Sequence, residues 1–90
     1  MKLPQQVEAL ERLAESMSVR VSYEPMAGLV QRTGGLCRLR GEYRIIIDRR
    51  LKPPERLQIL VEALTRLDPT GYEIDPGIQH HFPPPAQATG

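Results

Sequence analysis

Three consecutive isoleucines, Ile45-Ile46-Ile47, followed shortly by Pro53-Pro54, constrain this chain more than any other feature. A β-branched run favours a strand, and its lack of polar alternation predicts cover on both faces or a central place in a sheet. Proline cannot continue such a strand, but it suits the first turn of a helix, where its missing N–H would have no partner. Leu57, Leu60, Val61, Leu64 and Leu67 then recur at helical spacing, predicting a helix from Pro54 to Leu67 that ends at Asp68-Pro69-Thr70-Gly71. Ile59 and Ala63 widen its apolar arc, so this helix is expected to be the most buried element. The strand–turn–helix from Tyr43 to Asp68 is thus the organising unit.

The rest of the chain arranges itself around that unit. Leu36 to Arg40 and Tyr43 to Asp48 read as a hairpin separated by Gly41-Glu42, a pair compatible with a tight type II′ turn. Alternation puts Leu36, Arg38 and Arg40 on one face and Cys37 and Leu39 on the other. Val19 to Tyr23 alternates apolar and polar as a half-buried strand does, and Pro25 stops it. Met26 to Thr33 has no clean period and reads as a loop with Leu29 and Val30 turned inward, before a turn at Gly34-Gly35. Upstream, Leu3, Val7, Leu10, Leu13, Ala14 and Met17 predict a helix over Pro4 to Met17. Two helical ion pairs are expected, Glu8 with Arg12 and Glu62 with Arg66. Asp75-Pro76-Gly77 opens one further turn carrying Ile78 and Phe82, and residues 83–90, rich in proline, are expected to be a disordered tail.

The expected fold is α+β in the order α-β-β-β-α: a three-stranded, mostly antiparallel sheet packed by two helices, in one domain over residues 1–82. No internal repeat or interdomain linker is evident. Ninety residues make one domain with a thin core, burying roughly 60% of the surface the unfolded chain exposes. No run approaches the ~20 apolar residues of a membrane span. The start of the chain turns polar at once, unlike a secretory signal, and Cys37 is the sole cysteine, so a cytoplasmic location is expected.

Net charge is only +1, which gives no global attraction for nucleic acid or membrane. Between Arg32 and Arg56, however, eight basic residues stand against Glu42, Asp48 and Glu55, a local surplus of five. Within it, Arg38 and Arg40 on one strand face, with the Gly34 and Gly35 amides nearby, form a candidate site for a phosphate, a carboxylate or a partner protein. Cys37 is a candidate reactive thiol, because adjacent positive charge favours thiolate, although a thiol in an apolar strand is more commonly a small buried hydrophobe. His80-His81 lacks a second cysteine or a carboxylate pair to complete a metal set. No Ser-His-Asp order, Walker loop or dinucleotide fingerprint occurs, and four aromatics do not interleave with arginine as a stacking platform would.

The segment GEYRIIIDRRLKPPERLQILVEALTRL resembles the core of small zincin metallopeptidases of the phage-repressor-cleaving type. In that family two histidines four apart hold Zn²⁺ and the glutamate of H-E-x-x-H is the general base. Here the motif falls on Val61-Glu62-Ala63-Leu64-Thr65 and only Glu62 survives. The resemblance therefore implies a zincin-like scaffold without its metal and without peptidase activity. The string Gly34-Gly35-Leu36-Cys37-Arg38 is also similar to one in short bacterial proteins, from which no activity carries over. With no assembled catalytic set and no cofactor implied, the leading expectation is a non-enzymatic protein-interaction or adaptor domain, with a homodimer as one form. The alternatives are a nucleic-acid or anion-binding module using residues 32–56, and a thiol-dependent or divergent metal enzyme.

Overall fold

A computed structural model describes residues 1–25 and 34–82; the loop expected over Met26 to Thr33 and the tail expected over 83–90 lie outside the described residues. Two 14-residue helices, α1 (Leu3–Ser16) and α2 (Pro53–Arg66), bracket three strands, β1 (Arg20–Glu24), β2 (Gly34–Leu39) and β3 (Glu42–Asp48). The element order is the expected α-β-β-β-α. Two 3₁₀ turns, Pro69–Gly71 and Gln79–His81, complete the described chain.

The isoleucine strand β3 is central, in the order β1-β3-β2. The sheet is mixed: β2 pairs antiparallel with β3, whereas β1 runs parallel to it, with Arg20 opposite Arg44 and Glu24 opposite Asp48. Residues directly opposite share a face. Val21, Tyr23, Leu36, Ile45 and Ile47 therefore point to one side, where α1 packs on β1 and α2 on β2 and β3. Ile45 and Ile47 are wholly buried there with Leu10, Leu60, Leu64 and Ile78.

The hairpin turn differs from expectation. Its central residues are Arg40 and Gly41, with φ of 52° and 81°, and Leu39 pairs with Glu42. Positive φ at both positions is the type I′ pattern rather than the expected type II′ turn at Gly41-Glu42, although the twist of either turn suits the strands. Arg40 accordingly leaves the strand and does not alternate with Arg38. Gly34 and Gly35, expected as a turn, begin β2. A Cβ on Gly34 would drive into the Ile46 carbonyl oxygen, while one on Gly35 would meet open space.

Both helices open alike, with a Lys-x-Pro start. The Lys2 N–H donates to Gln5 Oε1 at 3.1 Å, and the Lys52 N–H to Glu55 Oε1 at 3.0 Å, so each helix ties its preceding residue without a serine or threonine cap. A seven-residue string also recurs with one change, Val7-Glu8-Ala9-Leu10-Glu11-Arg12-Leu13 against Val61-Glu62-Ala63-Leu64-Thr65-Arg66-Leu67, too short to be a structural repeat. In both copies the Ala-Leu pair is buried and the Glu exposed. The expected burial is reversed: α1 buries Val7, Ala9, Leu10, Leu13 and Ala14, and α2 only Leu60, Ala63 and Leu64. The cause is the C-terminal segment, which folds back over α1. Ile78 and Phe82 enter the core, His81 Nε2 lies 2.8 Å from Gln6 Oε1, and Asp75 faces Arg12 at 3.9 Å.

Asp48 ends β3 and shapes the approach to α2. Among the described residues it is the one charged side chain in the buried set, and Arg50 satisfies it through its backbone N–H (3.0 Å to Oδ1) and its guanidinium (3.0 Å to Oδ2). These bonds hold its carboxyl below the usual carboxylate range. Among the described residues the ion pairs are Arg50–Asp48 and Arg12–Asp75; neither expected helical pair forms, which costs little because exposed pairs contribute ~1 kcal/mol or less.

Two outcomes follow. Gly34→Ala should lower the denaturation midpoint clearly more than Gly35→Ala, since only the first meets backbone; equal effects in paired urea melts would contradict the close approach. Asp48 is depressed in the fold, so its contribution is present above the ordinary carboxylate value near 4 and is lost as pH falls through the lower folded value. Urea midpoints between pH 5 and 2 should fall less steeply for Asp48→Asn than for the parent.

Candidate functional site

The acidic residues of α1 fall into register with β1 to make a groove. Glu8, Glu11, Arg12 and Glu15 lie at i, i+3, i+4 and i+7, hence on one stripe of the helix. That stripe faces Val19, Arg20, Val21 and Tyr23 across an open cleft of about 720 Å³, which Glu42 and Tyr43 also line. The volume is within the ~300–1,000 Å³ of ordinary ligand clefts. Four carboxylates line it against two guanidiniums, so the groove is acidic on a chain whose net charge is slightly positive.

Tyr23 fixes the groove to the rest of the fold. Its hydroxyl donates to Glu11 Oε2 on α1, and the Arg56 guanidinium of α2 lies over its ring, 4.7 Å from the centroid. Arg56 is itself held by the carbonyls of Leu51 (2.8 Å) and Arg49 (3.1 Å). One side chain of β1 thereby links both helices. Burial, then the hydrogen bond to Glu11, push its phenol well above the ordinary tyrosine value, so it stays protonated and neutral.

The residues singled out from sequence do not gather in one place. Gly34 and Gly35 pair with Ile47 and Ile46 at one end of β2. Arg38 stands four residues further along, about 13 Å at the rise of a strand, with its guanidinium 5.3 Å from the Tyr43 ring centroid. Arg40 sits in the turn, exposed. Cys37 is half-buried on the opposite face from Arg38, where its cross-strand neighbour is Arg44. The Arg44 Nε is buried with no partner among the described residues. On α2, Glu62 and Thr65 are exposed, and Val61 is half-buried against the core, so the positions aligned with a zincin motif line no described cleft. His80 and His81 stack with ring centroids 4.0 Å apart, and burial, then the neighbouring His80, lower the His81 pKa. No group of three potential metal ligands occurs among the described residues, and no described helix is long and apolar enough to cross a membrane.

Sequence reasoning missed the groove residues Glu8, Glu11, Glu15, Glu42, Tyr23 and Tyr43. The carboxylate stripe on α1 was legible from spacing alone. What it faced was not, because that depends on how α1 packs on β1 and, for Glu42 and Tyr43, on the parallel pairing of β1 with β3. No family model matches this chain, and no curated protein or solved structure matches it.

Tyr23→Phe removes the donor to Glu11 and should cost roughly 1 kcal/mol at neutral pH, read by urea denaturation. The sign with pH is fixed: a phenol whose folded pKa is raised contributes fully below about pH 10, and that contribution is lost as pH climbs toward the folded value. The gap between parent and Tyr23→Phe should therefore narrow in strongly alkaline solution; a gap independent of pH would argue against the hydrogen bond.

Proposed function

We propose that this chain is a non-enzymatic protein-interaction domain that receives its partner in the groove between α1 and β1. The observation that carries the reading is the groove itself: an acidic cleft beside an edge strand, built on helix and strand rather than on loops. Its part-buried polar contact, Tyr23 with Glu11, holds a neutral phenol against an acidic side chain of α1 and so anchors the wall. Charged rims of this kind fix orientation and exclude wrong partners more than they add affinity. The resemblance of the β3–α2 segment to a zincin core is compatible with such a role, because Val61 and Thr65 offer no zinc ligand and α2 packs on the sheet.

The reading is tested with a photo-crosslinking residue at Glu15, in the groove, and at Glu62, exposed on α2. In native lysate, position 15 should capture the same protein reproducibly and position 62 should not. Capture equally from both positions, or from neither, would remove the groove from consideration. A mobility shift with RNA or DNA that falls steeply with salt and disappears in Arg38→Ala/Arg40→Ala would instead favour the nucleic-acid alternative.

A further inference from the structure

Resting on that reading, we infer that the partner enters as an extended segment with lysine or arginine at alternate positions, adding a strand to the outer edge of β1. Two independent features converge on this occupant. The first is the edge. β1 is bonded only to β3, and no described strand lies beyond it. The outward N–H and C=O groups of Arg20–Glu24 therefore form a template about 17 Å long. An extended peptide satisfies such groups by main-chain pairing, which gives affinity without regard to sequence.

The second feature is what the added strand would meet. Its side chains alternate between the two sheet faces, and those on the helix side would lie under the stripe of Glu8, Glu11 and Glu15. Those carboxylates are spaced by about 4.5 and 6 Å along the α1 axis. Alternate residues of a strand are about 6.7 Å apart, so successive basic side chains reach successive carboxylates without strain. The tyrosine rings contribute less to recognition, because Tyr23 and Tyr43 already carry Arg56 and Arg38. A second copy of this chain is disfavoured as the occupant, since β1 against β1 would bring two carboxylate stripes together.

The probe is a fluorescent heptapeptide alternating lysine and threonine, titrated into the full chain while the backbone amides of Arg20–Glu24 are followed by NMR. Saturable binding that moves those amides and weakens with salt is the expected result. Glu8→Lys with Glu15→Lys, both exposed and so compatible with an unchanged helical circular dichroism, should weaken binding at least about tenfold. A peptide N-methylated at alternate amides, on the edge that pairs, should lose binding although its charge is the same. Equal binding of a glutamate–threonine peptide, indifference to N-methylation, unmoved β1 amides, or self-association through β1 would each overturn the inference. If the lysine–threonine peptide fails while crosslinking from position 15 still captures a partner, strand addition by a basic segment is wrong and the interaction-domain reading stands. If crosslinking fails as well, both fall.

Discussion

The described sheet is held together through β3, and α2 packs on it. Among the described residues β3 is the only strand with hydrogen-bonded neighbours on both sides, and its Ile45 and Ile47 are wholly enclosed between the sheet and the helices. In a chain of this size the core is thin, so a central strand that fills its positions with large β-branched side chains supplies much of the available apolar burial. Its carboxyl end matters as much. Asp48, held by Arg50, turns the chain toward Lys52-Pro53-Pro54, and the angle of that turn decides how α2 meets β2 and β3.

Tyr23 is the complement to that scaffold on the other side. It lies on β1 yet touches α1 through Glu11 and α2 through Arg56, and Arg56 in turn closes the loop between β3 and α2. A polar contact that joins three elements carries more structural information than an exposed ion pair, because moving any one element breaks it. It also explains why the groove has a firm wall. The α1 carboxylate stripe is held at a fixed distance from β1 by one of its own members.

Much of the architecture was legible because it is written in local pattern. The isoleucine run, the diproline and the two helical periods fix the elements and place β3 in the centre. What the sequence withheld depended on distant parts of the chain. Val19 to Tyr23 carries no mark that it pairs parallel to β3, so the cleft beside it could not be assembled from spacing. The C-terminal segment was expected as a further turn, and its return over α1 made that helix, rather than α2, the more enclosed. Arg38 and Arg40 were grouped because they alternate; a turn one residue earlier than expected, with Arg40 at positive φ, takes Arg40 out of that alternation. The difference between Gly41-Glu42 and Arg40-Gly41 is small in sequence, yet it changes which residues share a surface.

The parallel pairing of β1 with β3 also sets an order of events. Arg20 and Arg44 are twenty-four positions apart, whereas β2 and β3 meet across a two-residue turn. Hairpins close in microseconds, while the longer loop carries a greater entropic cost before any contact is returned. β1 therefore joins an already formed ribbon. On a ribosome it emerges ahead of the other two strands and waits with both edges bare until β3, its one described partner, has been made. An edge that must remain tolerant of exposure during synthesis is short in this protein, five residues long, and has Arg20 and Glu24 at its ends.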